Sequence, residues 1–147
     1  MPPSRLDKAL IAAARAHRRH AAEALAPLGL HPGQDLLLSI LRKRERATQT
    51  QLARILGVEP PTVAKMVGRL EVAGFAQRSV DPTDARVRLV ALTAQGKAAA
   101  VRVEQIWDEL GKRTSAALSD TEADQLAELL ARVAASLGAE DIGRSNA

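Results

Sequence analysis

The sequence predicts a mostly helical protein with one small β-hairpin, and its composition and apolar spacing both support this. Ala and Leu are strong helix formers and supply 29 and 20 of the 147 residues. Aromatic residues, which favour strands, make up only 1% of the chain. Apolar residues recur at steps of three and four, which is typical of helices with one buried face. The length is that of one ordinary domain, so we interpret residues 1–147 as a single domain.

The composition also excludes several classes of protein. There is no Cys, so disulfide frameworks and Cys zinc sites are excluded, and we expect no metal and no cofactor. No apolar run approaches the ~18 residues of a membrane-spanning helix, which predicts no membrane partner. The first five residues lack the apolar region of a signal peptide, so we expect a cytoplasmic protein.

Two helices are predicted before residue 45. Apolar residues at helical spacing from Leu6 to Leu28 predict the first helix. Pro27 and Gly29 mark its end. The segment 31–34 then resembles a helix start, with Pro32 at the first helical position. Leucines and one isoleucine dominate the next seven residues, which indicates a largely buried second helix.

A helix-turn-helix is predicted in the middle of the chain. Thr48 and Gln51 stand at capping-box spacing and begin a short helix that Gly57 ends. Pro60 and Pro61 suit the first turn of the next helix, since proline lacks an N–H and fixes φ near −65°. The predicted buried side of this helix, before Gly74, carries Val63, Met66, Val67 and Leu70. Two short helices joined by a tight turn have the dimensions of a helix-turn-helix.

A two-stranded wing follows. Segments 75–80 and 87–92 are predicted as short strands around a polar tip at 81–86, and together with the preceding helices they form a winged helix-turn-helix. Thr93 can cap a long helix that reaches about Leu118. Ser119 and Glu122 form a further capping box, and the last helix carries an apolar stripe to Leu137.

Charge is divided unevenly along the chain. Residues 42–88 hold ten basic and five acidic side chains, whereas residues 104–141 hold three basic and nine acidic ones. This separation favours a polyanion-binding middle segment. Ordinary solvated faces are the alternative interpretation of the same charges.

Three short motifs stand in the middle of the chain: Thr48 to Gly57 with Thr62-Val63, then Arg69-Leu70-Glu71 with Gly74-Phe75 and Arg78, and finally Asp84, Arg86 and Leu92-Thr93 with Gly96. With these motifs, the order of the predicted elements resembles the MarR family of transcriptional regulators over nearly the whole chain. The resemblance implies a homodimer whose terminal helices (5–30 and 94–138) interlock. It also implies that the winged helix (31–93) of each chain reads one half of a palindromic DNA operator. Repression released by a small aromatic or phenolic effector is the implied activity.

Candidate DNA contacts follow from the outward face of the second helix of the helix-turn-helix, which begins at Pro60, and from the wing. Thr62 and Lys65 can bond base edges or phosphates, and Pro61 and Ala64 can pack on a thymine methyl group. The resemblance places Arg86 in the minor groove with Asp84 as its brace. Further candidate contacts, mainly to phosphates, are Gln49, Thr50, Arg69, Arg78 and Arg88.

Ordinary structural roles are the alternatives for these residues. Lys65 could be a solvated lysine, and Arg69 could pair with Glu71, Asp81 or Asp84. The hairpin could be held by an ion pair between Asp84 and Arg86 or between Asp81 and Arg78. Glu59 stands where the family often has Ser or Thr, and it is a poorer helix cap.

The candidate ligand-binding residues are His17, His31 and Trp107, which could line a cavity between the dimer helices and the winged helix. Packing for His17 and Trp107 and helix capping for His31 are the alternatives. No catalytic residue is predicted, because phosphate-binding glycine loops and nucleophile motifs are missing from the sequence. A sequence-tolerant DNA-organising protein and a winged-helix protein adapter remain alternative functions.

Overall fold

The computed structural model describes residues 4–138, which form six α-helices and three short strands. The helices are α1 (Arg5–Leu25), α2 (Gln34–Arg44), α3 (Gln49–Leu56), α4 (Pro60–Val72), α5 (Ala94–Ser115) and α6 (Asp120–Ser136). The strands are β1 (Arg46–Thr48), β2 (Ala76–Val80) and β3 (Arg88–Leu92). The predicted fold class is therefore confirmed: a mostly helical winged helix-turn-helix with flanking helices.

Local sequence signals explain most helix starts. Thr48 caps α3 by accepting the N–H of Gln51, while the Gln51 side chain accepts the N–H of Thr48. Ser119 and Glu122 make the same reciprocal pair at α6. Thr93 caps α5, as expected. Gly57 ends α3 at φ 64°, in the left-handed region that favours glycine.

The sheet has one strand more than the sequence predicts. The strand order is β1-β3-β2, and both pairs are antiparallel. Val90 of the central strand β3 pairs with Ala47 of β1 on one side and with Arg78 of β2 on the other. Strand β1 was missed because it is three residues long and buries only Ala47. Its conformation comes from pairing with β3, which a local pattern cannot reveal.

Several predicted boundaries are wrong. α1 ends at Leu25 and a 3₁₀ turn (Ala26–Leu28) contains Pro27. α2 begins at Gln34, not at Pro32, because Gly33 has φ 104° and cannot belong to the helix. α5 ends at Ser115 rather than near Leu118, and both wing strands begin one residue later than predicted.

The core lies inside the winged helix and extends along α5. Leu38 of α2, Val63 and Val67 of α4, Val90 of β3 and Val103 of α5 are all fully buried in one cluster. α2 packs against α5, so the winged helix is fixed to the base of the long helix. No helix within residues 4–138 combines the length and apolarity that crossing a membrane requires.

The terminal helices contrast with this core. α6 buries none of its residues in the described chain, and α1 buries only Ala21 and Leu25. Large apolar side chains on these helices are exposed, namely Leu6, Ile11, Leu126, Leu129 and Leu130. Burying such side chains is favourable by about 25 cal/mol per Å² of apolar surface, so these faces are suited to further packing.

Candidate nucleic-acid interface

The turn between α3 and α4 is short and tightly bonded. The N–H of Gly57 donates to the carbonyls of Ala53 and Arg54, and the N–H of Val58 donates to Ala53 at 3.1 Å. These bonds satisfy the last carbonyls of α3 and let α4 start three residues after Gly57. The geometry is that of a helix-turn-helix, with α4 as its second helix.

The start of α4 needs no side-chain cap. Glu59 occupies the N-cap position, and its side chain makes no capping hydrogen bond. Its carbonyl accepts the N–H of Val63 at 3.3 Å, which is the first α-helical bond, and the N–H of Thr62 at 3.0 Å in a 3₁₀-type bond. Since Pro60 and Pro61 carry no N–H, two of the first-turn donors that would otherwise lack an intrahelical partner are missing. The first turn therefore needs little help from the Glu59 side chain.

The two faces of α4 follow the prediction at all but one inward position. Val63, Val67 and Leu70 are buried in the core, whereas Met66, also predicted to be buried, is only half-buried against it. Pro61, Thr62, Lys65 and Arg69 are exposed on the opposite side, and Ala64 is half-buried. Within residues 4–138, no carboxylate lies within salt-bridge distance of Lys65 or Arg69. The outward face of the described chain therefore offers two free cations, and the alternative partners suggested for Arg69 are not used.

Asp81 organises the tip of the wing. Its Oδ1 accepts the Thr83 N–H at 2.7 Å, the Thr83 hydroxyl at 2.6 Å and the Asp84 N–H at 3.3 Å. Hydrogen bonds from the Thr83 hydroxyl and N–H lower the pKa of the Asp81 carboxyl, because they stabilise its charged form. The alternative ion pair between Asp81 and Arg78 does not form.

Arg86 projects from this ordered tip. Oδ1 of Asp84 accepts its backbone N–H at 3.0 Å and its Nε–H at 3.3 Å, while the Arg86 side chain remains 92% exposed. Asp84 therefore orients Arg86 without covering its guanidinium. Arg88 is also exposed, and its Nη1 donates to the Ala85 carbonyl at 2.9 Å.

Arg78 and Gln49 occupy a different environment from the other candidates. Arg78 donates to the Glu71 carboxylate and, at 3.0 Å, to the Ala64 carbonyl. With its amide oxygen turned toward Arg78, Gln49 accepts from Nε and Nη2, both at 3.1 Å. Thr50, by contrast, is exposed at the start of α3. Sequence reasoning placed Arg78 and Gln49 among the contacts to DNA without foreseeing that they touch each other.

The structure pairs two of the three candidate ligand-binding residues. The rings of His17 and Trp107 are 5.7 Å apart and tilted by 38°. His31 is exposed, and its backbone N–H donates to the Gln34 side chain at 2.9 Å, which gives it a position at the start of α2.

Asp35 is a buried partner of Trp107 that sequence reasoning missed. It is only 2% exposed, and its Oδ2 accepts the Trp107 indole N–H at 2.9 Å. Its Oδ1 accepts the Gly33 N–H at 2.7 Å. The signal in the sequence was an acidic residue directly before a run of leucines in a helix predicted to be buried. A carboxylate that is buried there needs hydrogen-bond donors. Residues 4–138 contain no cluster of three potential His or carboxylate metal ligands.

Comparisons with known proteins agree with this geometry. The model of the MarR family matches residues 30–87. The Escherichia coli multiple antibiotic resistance protein MarR is 30% identical over 112 residues, which are 76% of this chain and 78% of that protein. A putative transcriptional regulatory protein for the hcr operon of Thauera aromatica is 32% identical over 105 residues, which are 71% of this chain. The chain spans about three fifths of the length of that relative, 63%.

A solved structure gives the same result for the fold. A point mutant of Escherichia coli MarR, crystallised in complex with operator DNA, superposes with a TM-score of 0.81 at 27% identity. The match covers 87% of this chain and 92% of that one. The similarity therefore includes the terminal helices as well as the winged helix.

Proposed function

The chain belongs to the MarR family of transcriptional regulators, and from this premise we propose that it is a homodimeric repressor that reads a palindromic operator. Membership makes it a DNA-binding regulator rather than an enzyme. The observation that carries the proposal is the outward face of α4, which presents Thr62, Lys65 and Arg69 without carboxylate partners in the described chain. A DNA complex of a relative at 27% identity supports DNA as the partner.

Direct reading of bases is assigned to α4. Thr62 and Lys65 can hydrogen-bond base edges in the major groove, while Pro61 and the Ala64 methyl group can contact a thymine methyl group. Arg69 follows one turn later on the same exposed face. These side chains supply sequence discrimination, because the major groove presents a distinct pattern for each base pair.

The wing supplies the second contact. Arg86 is 92% exposed and held by Asp84 at the tip, so it can enter a narrow minor groove without first breaking a buried contact. Thr50 and Arg88 are assigned to phosphates, which fix the register of the protein on the duplex.

Dimerisation is assigned to residues 5–30 and 94–138, with 31–93 as the DNA-binding region of the same domain. α6 buries no residue in the described chain, and Leu126, Leu129 and Leu130 are 44%, 53% and 43% exposed. A second copy of the chain would cover these side chains, and a two-fold dimer places two α4 helices about 34–36 Å apart, one turn of DNA. Sedimentation of wild type and Leu129→Glu tests this, and a monomeric wild type would contradict it.

A small aromatic or phenolic effector is assigned to the region of His17 and Trp107. The two rings contact each other where α1 meets α5, and Trp107 also reaches Asp35 of α2, so a ligand here would touch both regions of the domain. A ligand shifts conformation only by its differential affinity for the two states. Titration of Trp107 fluorescence with a panel of hydroxybenzoic acids tests this, and operator release at the same concentration is the expected companion result.

The decisive experiment is selection of binding sites from a random duplex library at near-physiological salt. Recovery of an inverted repeat with half-sites about ten base pairs apart supports the proposal. Binding without any consensus would instead indicate a sequence-tolerant DNA-organising protein, with steep salt dependence. Absence of binding at every salt concentration would favour a protein adapter.

A further inference from the structure

Arg78 lies where three elements of the winged helix meet. It belongs to β2, and its guanidinium contacts the side chain of Glu71 and the carbonyl of Ala64, both on α4. The amide of Gln49, the first residue of α3, completes the set at 3.1 Å. One side chain therefore connects the wing to both helices of the helix-turn-helix. Arg78 and these three acceptors are called the Arg78 clamp below.

The environment of Arg78 differs from that of the other wing arginine. The Arg78 side chain is 31% exposed, against 92% for Arg86. Nε, Nη1 and Nη2 of Arg78 all have acceptors within the chain once Gln49 is turned toward them. A guanidinium has five N–H donors, so most of its capacity is directed inward. Little of it is left for a phosphate.

The contacts of the Arg78 clamp are arranged to resist rotation of α4. Ala64 and Glu71 are seven residues apart and share one side of the helix, two turns apart. Arg78 holds both points, so tilting or turning α4 against the wing would break at least one bond. The planar guanidinium fork suits this task, whereas a lysine ammonium acts as a point charge.

We infer that Arg78, held by Glu71, Ala64 and Gln49, is a positioning residue that fixes the angle of α4 against the wing and thereby sets sequence discrimination. The inference rests on the proposed function, since it concerns how the same interface reads DNA. A base contact depends on donor and acceptor alignment, so a small change in the angle of α4 costs specific affinity more than nonspecific affinity.

The test compares Arg78→Lys, Glu71→Ala and their double variant with wild type, on the selected operator and on a random duplex over a range of salt concentrations. Arg78→Lys keeps the charge but loses the fork, so operator affinity is expected to fall by about tenfold while nonspecific affinity and salt dependence stay near wild type. Glu71→Ala removes a negative charge yet is expected to weaken operator binding as well. The double variant is expected to bind the operator no more weakly than the weaker-binding single variant, because both substitutions remove the same contact.

Arg88→Gln is the matched control, because Arg88 is an exposed arginine on the neighbouring strand. It is expected to lower the slope of log affinity against log salt concentration by the equivalent of about one phosphate contact. Binding to the operator and to the random duplex is expected to weaken alike. If Arg78→Lys binds the operator like wild type, or if Glu71→Ala binds it more tightly, the inference is wrong. A wild type that does not prefer its operator overturns the proposed function instead, and with it the role of the Arg78 clamp in discrimination.

A second measurement needs no DNA. Proton exchange at Nε of Arg78, followed by nuclear magnetic resonance in the free protein, is expected to be slower than at Arg69, an exposed arginine whose side chain has no acceptor in the described chain, and to accelerate in Glu71→Ala. Glu104→Ala is the control, because Glu104 pairs with a different arginine, Arg42. Equal exchange at Arg78 and Arg69 in wild type would show that the Arg78 clamp is absent, whatever the DNA titrations give.

Discussion

Gly96 packs directly against the backbone of Phe75, so that a Cβ on Gly96 would lie 1.8 Å from the Phe75 carbonyl oxygen. Thr93 closes the same junction: its N–H donates to Phe75 at 3.0 Å and its hydroxyl donates to Gly74 at 2.6 Å. The hydroxyl oxygen also accepts the Gly96 N–H at 3.0 Å. This junction fixes the start of α5 to the segment between α4 and the wing, and so determines where the long helix leaves the winged helix.

Gly96→Ala is expected to lower the free energy of unfolding by about 1–3 kcal/mol or more, because overpacking against backbone forces the two segments apart. Guanidinium unfolding at fixed protein concentration measures this. Gly68→Ala is the matched control in the interior of α4, where an added Cβ meets nothing within 4 Å. That variant is expected to be more stable by about 0.5–1 kcal/mol. A Gly96→Ala protein as stable as wild type would contradict the close approach.

Trp107→Phe is expected to cost about 1–3 kcal/mol, because the buried Asp35 carboxylate then loses the indole donor and keeps the Gly33 N–H. Unfolding followed by circular dichroism is the suitable measurement, since Trp107 is the single Trp of the chain. In an Asp35→Leu background the same change is expected to cost markedly less. Equal costs in the two backgrounds would show that the hydrogen bond contributes nothing.

Arg86→Ala is expected to weaken operator binding tenfold or more, because it removes the exposed cation at the wing tip. Fluorescence anisotropy titration of a labelled operator measures the loss. Arg102→Ala, which removes an exposed arginine from α5, is the control and is expected to bind like wild type. Stability is expected to change by less than about 1 kcal/mol, since the Asp84 pair is at the surface. If the titration curves of wild type and Arg86→Ala coincide, the proposed contact between the wing tip and DNA is wrong.

Acidification is expected to loosen the wing tip at Asp81. Hydrogen bonds from Thr83 lower the pKa of this carboxyl in the folded chain, below its ordinary value of 3.8. The unfolded chain therefore binds the proton more readily, and the contribution to stability is present above pH 3.8 and is lost as the pH falls through the lower, folded value. Carboxyl chemical shifts followed over pH are expected to give a midpoint below 3.8, and Thr83→Ala is expected to raise it. A wild-type midpoint at or above 3.8 would contradict this arrangement.

The sequence by itself determined those features whose causes are local. Thr48 with Gln51 and Ser119 with Glu122 form their capping boxes over three residues, and Gly57 ends α3 by its own backbone freedom. The apolar spacing of α4 likewise set which face is buried, because a helix places residues three and four apart on one side. The helix-turn-helix, the wing hairpin and the candidate reading face could therefore be predicted from the sequence.

Only the tertiary structure decided the features that join distant segments. β1 is a strand because β3 pairs with it, and Asp35 is satisfied by an indole 72 positions along the chain. In the sequence Arg78 is one more cation of a basic region, yet its neighbours direct it inward. Periodicity and capping report interactions within a few residues, whereas these contacts depend on how α4, the sheet and α5 meet. Their partners are set by packing, which no local pattern encodes.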